Sequence, residues 1–303
     1  AASDVYKRQA IGGSLILPDP YGSAFITITL LIKEDSNMKF YILCDIEGVA
    51  SLTCWDEARS ANACYAPMAR EMALEAAAAA RGLFSGGADE VVIEDMHGDG
   101  CNIDCALLPR DTRLLRGITH DIVGLTGIFD ESYDGMLMVG FHDAASAPGN
   151  PTSHTMVSSR IFRLTVNGAL WGEFEMYAHA AAYRGVPTLF ASGDEGMCAA
   201  AVRTVPGLLT VPTKSGHGYG VLTKTPELVC EEIEGMMAEA VAAAKTAAPP
   251  VLPDHFHVEV TYIHHYDAYG CSHYPGASLI SPTTVAFDAD DYGDVLRFFY
   301  FVI

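Results

Sequence analysis

The stretch Phe40-Tyr41-Ile42-Leu43-Cys44-Asp45-Ile46-Glu47-Gly48 is an apolar run that ends in two acidic residues and a glycine. The run predicts a strand over residues 39–45. A strand alternates its faces, so Asp45 and Glu47 point the same way at its carboxyl end. Neighbouring carboxylates repel each other and lose hydration when buried, whereas a cation between them removes both penalties. The stretch therefore indicates either a metal site or a solvated acidic turn, with Gly48 permitting a sharp change of direction.

Alternating strands and helices extend outward from this stretch. Residues 61–84 are rich in alanine and precede Gly86-Gly87, which predicts a helix, and residues 90–95 predict a second strand. A strand–helix–strand unit indicates a parallel sheet. Further strands are predicted at residues 135–140, 162–166, 187–191, 257–263 and 283–286, and further helices at residues 173–183, 226–246 and 289–302. We therefore expect an α/β fold, a three-layer αβα sandwich with a mostly parallel sheet, plus a smaller α+β subdomain at the C-terminus.

The composition argues against several classes of partner. The chain has 38 acidic and 18 basic residues and a net charge of -20, which disfavours nucleic acid and anionic membranes. Its longest apolar run, residues 25–32, is far shorter than the about 20 residues that span a bilayer. The eight cysteines form no CxxC pair. This pattern favours reduced thiols over a structural zinc site, and we expect a cytoplasmic protein.

Potential metal ligands follow successive predicted strands and begin one predicted helix. The candidates are Asp45, Glu47, His97, His142, His154 and Glu173. Because sites in open α/β sheets lie beyond the carboxyl ends of the strands, we expect these residues to meet. Without His154, which lies twelve residues past His142, the set has two histidines and three carboxylates, a mixture that suits Zn²⁺, with Mn²⁺ or Co²⁺ as alternatives. Each residue also has an ordinary role, such as a loop histidine or, for Glu173, a carboxylate that complements a helix N-terminus.

An ordered set of motifs carries a family resemblance. The segments are Asp45-Ile46-Glu47-Gly48, Asp95-Met96-His97 with Asn102, Gly140-Phe141-His142, Ser153-His154, Gly172-Glu173, and Val186-Pro187 leading to Ser192-Gly193-Asp194. In this order and spacing the chain resembles the DppA-type zinc D-aminopeptidases, whose type member was once named a dipeptide transport protein. The resemblance runs from Met38 almost to the C-terminus. Each motif is common alone, but the ordered set is specific.

The resemblance implies two zinc ions per subunit and a set of five ligands. In that family's arrangement, Asp45 bridges both metals. Glu47 and His142 complete one site, and His97 and Glu173 complete the other. The resemblance also implies an aminopeptidase that acts on short peptides with an N-terminal D-amino acid, such as D-Ala-D-Ala, by metal-activated water. A ring-like homo-oligomer that admits only small peptides is implied as well.

The resemblance further implies that His154 is the catalytic residue, as base, acid, oxyanion stabiliser or nucleophile. Asp95 and Asn102 are either residues that orient the ligands or ordinary turn residues. The sequence departs from the family pattern at Tyr177, where the family usually has Asn shortly after the glutamate. The departure bears on which substrate is preferred.

The resemblance and the pattern together suggest three segments. We expect residues 1–37 to be a non-native or disordered extension, because a clean strand begins only after Met38. Residues 38–215 are predicted to form a metal-binding catalytic α/β domain, and residues 216–303 a smaller C-terminal subdomain. The chain stops at Ile303 inside a predicted helix, and we expect it to be truncated by a few residues.

Other interpretations stay open. The same metals suit an L-aminopeptidase, another amidohydrolase or a phosphoesterase, although the chain has no P-loop to cradle phosphate. A non-catalytic dipeptide-binding protein is a second alternative, although an exported one needs a signal peptide and none is convincing here. An inactive homologue is a third, although all six candidate residues are present.

The remaining histidines are weaker candidates. His255 and His257 share one face of a predicted strand, with no carboxylate clearly joining them. His120, His179, His217 and His273 are predicted to be structural or to lie on the surface.

Overall fold

The computed structural model describes residues 14–17, 26–29, 37–120 and 128–303, and the chain divides into two units, residues 1–37 and 38–303. In the first unit, strands β1 (Ser14–Leu17) and β2 (Ile26–Thr29) pair antiparallel. Most of the predicted extension, residues 1–37, lies outside the described residues. Its non-native or disordered character therefore stays a prediction.

Strands and helices alternate along residues 38–303. In chain order they are β3 (Lys39–Cys44), α1 (Trp55–Ala58), α2 (Tyr65–Gly86), β4 (Glu90–Asp95), a 3-10 helix (Cys105–Leu107), β5 (Arg113–Leu115), β6 (Gly135–Phe141), β7 (Ile161–Val166), β8 (Ala169–Leu170), α3 (Glu173–Tyr183), β9 (Thr188–Asp194), α4 (Glu195–Thr204), β10 (Leu209–His217), β11 (Gly220–Thr223), α5 (Pro226–Ala244), β12 (Phe256–Tyr262), α6 (His265–Cys271), β13 (Ser278–Ser281), β14 (Thr284–Ala289) and α7 (Tyr292–Val302). No helix among these described residues is long and apolar enough to cross a bilayer.

The larger sheet has seven strands in the order β11-β10-β9-β6-β3-β4-β5. All neighbouring pairs are parallel except β10 with β11 at one edge. From β3 the chain winds outward through β4 and β5, and then returns to the other side of β3 with β6. The reversal makes the gap between β3 and β6 a topological switch point, where ligands bind in folds of this class. The predicted mostly parallel α/β sheet is confirmed.

Helices cover both faces of this sheet. On one face, the alanine-rich side of α2 packs against the strands and against α5, and its small side chains allow a close approach. At Gly82 in α2, a Cβ atom would lie 2.5 Å from the carbonyl oxygen of Glu234 in α5, so the contact requires glycine there. On the other face, α3 and α4 bury a second apolar cluster. The unit of residues 38–303 therefore has the three layers that the sequence predicted.

A second, antiparallel sheet has the order β13-β14-β12-β7-β8 and packs against α6 and α7. Helix α3 belongs to both cores. Its Phe174 and Tyr177 lie in the cluster with the parallel sheet, and its Met176 and Ala180 lie in the cluster with the antiparallel sheet. Strands β7 and β8 precede residue 215 and the other three follow it. The predicted division into 38–215 and 216–303 stays a prediction.

Gly48 lets the turn after β3 lie directly against the end of β6. Its N–H donates to the carbonyl oxygen of Gly140 at 2.8 Å, and a Cβ atom at Gly48 would lie 1.7 Å from the carbonyl oxygen of Phe141. We expect Gly48→Ala to lower the free energy of unfolding by about 3 kcal/mol or more, since the obstacle is rigid backbone. Urea unfolding checks this. Gly235→Ala, in α5 with open space around it, is the control and should stabilise the protein by about 0.5–1 kcal/mol. Equal effects of the two substitutions would contradict the close-approach argument.

Candidate metal centre

The structure brings all six predicted site residues together at the switch point. Asp45 and Glu47 follow β3, His97 lies two residues past β4, and His142 directly follows β6. The other two lie in the loop after β6 and in the first turn of α3. Ligand atoms within 4.8 Å of one another form two groups, Asp45 with Glu47 and His97, and His142 with His154 and Glu173. These six residues are the carboxylate–histidine cluster.

The ring of His97 is held by a backbone carbonyl on one side and faces carboxylates on the other. Its Nε2 lies 2.6 Å from the carbonyl oxygen of Ala58, and since a carbonyl only accepts, Nε2 must carry a hydrogen. Its Nδ1 lies 3.1 Å from Glu47 Oε2 and 3.5 Å from Asp45 Oδ1. In the neutral ring, Nδ1 therefore presents a lone pair to two carboxylates. This is the arrangement of a histidine that ligates a metal.

His142 repeats the arrangement with its nitrogens exchanged. Its Nδ1 donates to the carbonyl oxygen of Asp143 at 3.0 Å. Its Nε2 lies 3.3 Å from Asp45 Oδ2 and 3.4 Å from Glu173 Oε1. The two oxygens of Asp45 thus face different histidines, which is the position that a bridging ligand occupies.

Glu173 is free of the capping role that a carboxylate in this position often has. The N–H of Gly172 at the start of α3 donates instead to Glu175 Oε2 at 2.8 Å. Glu173 Oε1 accepts from the backbone N–H of Met156 at 2.6 Å and faces His142. The side chain of Glu173 is therefore directed into the carboxylate–histidine cluster.

His154 stands at the edge of the cluster. Its Nδ1 donates to the carbonyl oxygen of Thr152 at 3.0 Å, and its Nε2 lies 3.7 Å from Glu173 Oε1. Its ring stacks on that of His142 with centroids 4.1 Å apart, and Trp55 contacts it edge-on at 5.1 Å. Because His154 also lines the adjoining cavity, its Nε2 can reach both the cluster and a molecule in that cavity.

The carboxylates of the cluster are stabilised by positive charge beside them. Burial opposes a charge on His97, but the hydrogen bonds and charges of Asp45 and Glu47 outweigh burial and raise its pKa to about 11. Burial likewise opposes a charge on His142, yet Glu173 and Asp45 raise its pKa well above the ordinary value. The pKa values of the Asp45 and Glu173 carboxyls are lowered, because their histidine partners outweigh burial. The carboxylates therefore need positive charge beside them, from imidazolium groups or from a metal ion.

Two atoms of the cluster test the fit to a metal directly. When the histidine rings are neutral, the buried atoms Glu47 Oε2 and His142 Nε2 have no hydrogen to share with the groups they face. Buried polar atoms of this kind are costly unless something binds them. Carboxylate oxygens and imidazole nitrogens at this spacing are the donor set of Zn²⁺. The residues therefore fit a metal ion.

The distances pair the ligands differently from the family arrangement described above. Glu47 lies beside His97, and Glu173 lies beside His142. The family arrangement instead joins Glu47 with His142 and His97 with Glu173. The assignment of each residue to one metal ion stays a prediction.

Asp95 shapes the loop that carries His97. Its carboxylate accepts from the backbone N–H groups of Asn102 and Ile103 at 2.6 and 2.8 Å, and from Asn102 Nδ2 at 2.7 Å. Asn102 Nδ2 also donates to the carbonyl oxygen of His97 at 2.6 Å. These hydrogen bonds reach the backbone of the loop and not the imidazole nitrogens. Both act on the position of His97 through its backbone.

A buried lysine that the sequence analysis missed supports the loop that carries Glu47. Lys214 Nζ donates to the carbonyl oxygens of Glu47, Val49 and Leu52 at 2.7, 2.8 and 2.5 Å. Asn150 Nδ2 donates to the same Glu47 carbonyl at 2.9 Å. Lys214 is only 3% exposed. Burial lowers its pKa to about 8, although nearby carboxylates act in the opposite direction. Its sequence context gave no signal, because a single lysine is usually exposed.

A cavity of about 450 Å³ adjoins the cluster. Its other walls are mostly apolar and include Trp55, Met96, Val157, Met176, Tyr177 and Phe299. His120, which the sequence suggested to be structural or on the surface, also lines this cavity. The size and lining suit a small molecule with apolar groups.

The expectation for His255 and His257 was wrong in one respect. Carboxylates from β14 and the turn after it join them: His255 Nδ1 lies 2.7 Å from Asp290 Oδ1, and His257 Nδ1 lies 2.8 Å from Asp288 Oδ1. The partners follow the two histidines by about 30 residues in sequence, but Asp288 lies on the neighbouring strand and Asp290 directly after it. The pairs are exposed, and exposed ion pairs contribute little to stability.

Comparison with known proteins gives consistent results. A sequence profile of the D-aminopeptidase family matches residues 38–301. A D-aminopeptidase of Bacillus subtilis (strain 168) is 26% identical over 256 residues, which cover 84% of this chain and 92% of that protein. The fold is similar to that of a solved structure, the zinc-dependent D-aminopeptidase DppA from Bacillus subtilis, described as a self-compartmentalizing protease. The TM-score is 0.80 and the identity 24%, over 86% of this chain and 95% of that chain. Because the family profile covers most of its length, the chain belongs to the D-aminopeptidase family.

Proposed function

We propose that the protein is a dinuclear zinc aminopeptidase that removes an N-terminal D-amino acid from short peptides such as D-Ala-D-Ala. The observation that carries the proposal is the orientation of three histidines. Each of His97, His142 and His154 donates one ring N–H to a backbone carbonyl and turns its other nitrogen toward buried carboxylates. When the three rings are neutral, their lone pairs face carboxylate oxygens with no hydrogen between them, and a metal ion would bind both.

Five side chains would hold the metal ions: Asp45, Glu47, His97, His142 and Glu173. When bound, two zinc ions supply Lewis acidity, which polarises the scissile carbonyl and makes water a nucleophile near neutral pH. The chain itself contributes the spacing of the ligands. Asp45, with one oxygen toward each of two histidines, sets that spacing.

His154 is the proposed proton carrier of the reaction. The carbonyl oxygen of Thr152 fixes its Nδ1 as the hydrogen-bearing nitrogen, so Nε2 is the atom that takes part in proton transfer. At that atom His154 accepts the proton that leaves the attacking water and later donates it to the departing amine. Stacking on His142 and the edge of Trp55 hold the ring in place for both steps.

Replacing His154 with alanine should lower kcat by about 10²–10⁴, which is the usual contribution of a general acid–base group. Zinc content, measured on the same preparation, should not change. His273→Ala, an exposed histidine outside the cavity, is the matched control and should leave kcat unaltered. Loss of zinc from His154→Ala would instead make His154 a metal ligand, in keeping with its place in the second ligand group.

The experiment that tests the proposed function compares substrates. Zinc is quantified, and hydrolysis of D-Ala-D-Ala, L-Ala-L-Ala and p-nitrophenyl phosphate is measured on one preparation. About two zinc ions per chain with cleavage of the D-peptide alone is the expected result. Cleavage of the L-peptide or the phosphate ester alone would replace the proposal with the corresponding hydrolase. Tight binding of D-Ala-D-Ala without turnover would indicate a dipeptide-binding protein.

We also propose that the chain forms a ring-like homo-oligomer that admits only small peptides, in support of which a related structure is described as self-compartmentalizing. Light scattering on the purified protein tests this. A monomer that retains full activity would contradict it. A cytoplasmic location stays a prediction, consistent with eight free cysteines in the structure.

A further inference from the structure

Glu94 is a buried acid in the cavity wall that the proposed metal centre does not use. It is the penultimate residue of β4, is 3% exposed, and lines the same cavity as His97 and Glu173. The acidic residues of that wall are Asp45, Glu47, Glu94 and Glu173. Glu94 alone among them lies outside the proposed ligand set. None of the described residues that line the cavity is a lysine or an arginine.

The carboxyl group of Glu94 is held in a fixed orientation. Tyr41 Oη donates to Glu94 Oε2 at 2.8 Å. The ring of Tyr41 is in turn packed edge-on against Phe129 and Tyr133, with centroids 5.2 and 5.0 Å apart. A carboxylate accepts about four hydrogen bonds, so one donor leaves capacity for others. An oriented acceptor in a cavity wall is suited to binding a donor in that cavity.

The position of Glu94 relative to the cluster is indicated by Tyr177. Tyr177 lines the same cavity as Glu94, and so do Asp45 and Glu173 of the cluster. Tyr177 therefore lies near both the carboxylate–histidine cluster and Glu94. A small molecule in the cavity can contact the cluster with one part and Glu94 with another.

Burial makes a cationic partner favourable. It raises the pKa of the Glu94 carboxyl to about 7, while the Tyr41 hydrogen bond acts in the opposite direction and the Asp95 charge adds to the effect of burial. An ionised carboxylate in such a place is costly when unpaired and becomes stable beside a donor that carries positive charge.

We propose that Glu94 binds an ammonium group of the substrate, either the free α-ammonium of a short peptide or the ε-ammonium of a lysine-like side chain. The inference rests on the proposed function and specifies what that site recognises. A peptide blocked at its amino group would cover Glu94 without giving it a cationic partner, and a site that leaves a buried polar group unpaired in this way rejects such a ligand strongly.

Glu94→Gln tests the proposal because it removes the charge and keeps the size and an acceptor for Tyr41. We expect KM for the peptides that Glu94 recognises to rise about tenfold to a hundredfold, the effect of losing a charge-assisted hydrogen bond, with kcat changed less than about threefold. D-Ala-D-Ala carries only an α-ammonium, and D-Lys-D-Ala adds an ε-ammonium. A rise for both peptides identifies the α-ammonium as the partner, and a rise for D-Lys-D-Ala alone identifies the ε-ammonium. Unchanged KM for both overturns the proposal.

The controls separate charge recognition from structural damage. Glu239→Gln, on the exposed side of α5, changes the net charge equally and should leave KM unaltered. Melting temperature and zinc content of Glu94→Gln should match those of the parent protein. A Glu94→Gln variant that loses zinc or melts early, and that changes kcat as much as KM, would make Glu94 a structural residue and overturn the proposal.

Ligand binding can be measured even if the protein hydrolyses no peptide, so it tests the role of Glu94 separately from the proposed function. Calorimetry compares D-alaninamide, D-lysinamide and D-lactamide, of which only D-lactamide lacks an ammonium group. The parent protein should bind at least one of the amines more tightly than D-lactamide, and Glu94→Gln should lose that preference even if no peptide is hydrolysed. A preference for the amines that persists in Glu94→Gln would assign their recognition to another group and overturn the proposal.

Discussion

Asp45→Ala is expected to abolish hydrolysis and to reduce bound zinc from about two ions per chain to less than one. Asp45 turns Oδ1 toward His97 and Oδ2 toward His142, at 3.5 and 3.3 Å. Without it, each half of the carboxylate–histidine cluster loses a ligand, and the spacing between the halves is no longer fixed. Because metal assistance is worth several kcal/mol and about 1.4 kcal/mol corresponds to a tenfold rate, kcat/KM should fall by at least about 10³. Elemental analysis and D-Ala-D-Ala hydrolysis on one preparation check both expectations.

Two further variants show whether the loss of zinc and activity depends on the charge of Asp45 and on its position. Asp45→Asn keeps the volume and one acceptor oxygen but not the charge, and it should also lose zinc and activity. Asp254→Ala removes an exposed carboxylate just before β12 and should change neither. Full zinc content and full activity in Asp45→Ala would contradict the proposed role of Asp45, and with it the dinuclear centre.

Lys214→Met is expected to lower the free energy of unfolding by about 3–5 kcal/mol, the usual result of removing one partner from a buried charged network. Its ammonium group holds the carbonyl oxygens of Glu47, Val49 and Leu52. Without it, the carbonyl oxygens of Val49 and Leu52 would lose this buried donor, and that of Glu47 would keep only Asn150 Nδ2. The same loss loosens the loop that presents Glu47. Zinc affinity should therefore fall about 10–100-fold, as it does when groups that support metal ligands are removed. Urea unfolding and competition with a chelator measure the two effects.

The matched control is Lys224→Met, in the loop between β11 and α5. Lys224 makes an ion pair with Glu232 at 2.6 Å, and both side chains are about one-third exposed. An exposed pair of this kind is worth less than about 1 kcal/mol, and zinc affinity should not change. If the two lysine substitutions lowered the free energy of unfolding by similar amounts, the buried hydrogen bonds of Lys214 would stabilise the protein no more than an exposed ion pair does.

The central parallel strands were predictable because they are short apolar runs with a strong helix or a glycine turn beside them. β3 and β4 are examples, and each prediction was within one residue of the observed bounds. β10 was missed because it contains Pro212 and Gly216, which weaken any strand signal. It forms because β9 and β11 pair with it on either side. α4 was missed although Asp194 marks its start by accepting from the N–H of Met197, since the flanking glycines resemble a loop.

The site was predictable where chain order alone brings residues together. The carboxyl ends of parallel strands share one edge of the sheet, so Asp45, His97 and His142 had to lie near one another. Which residues support them could not be predicted. Lys214 and Glu94 act through burial, and burial depends on what covers each face of the sheet, which alternation of side chains does not reveal.

The pairing of β7 with β12 has a consequence for how a newly made chain folds. Val166 pairs with Val258, a residue that the ribosome adds roughly 90 residues later. At synthesis rates of about 5–20 residues per second, β7 waits roughly 5 to 20 s for its partner. During that delay its apolar face, with Ile161 and Leu164, has nothing from the second sheet to cover it except β8. In the same interval β9, β10 and β11 are still being added to the larger sheet, so the nascent chain carries an uncovered hairpin that a chaperone could shield.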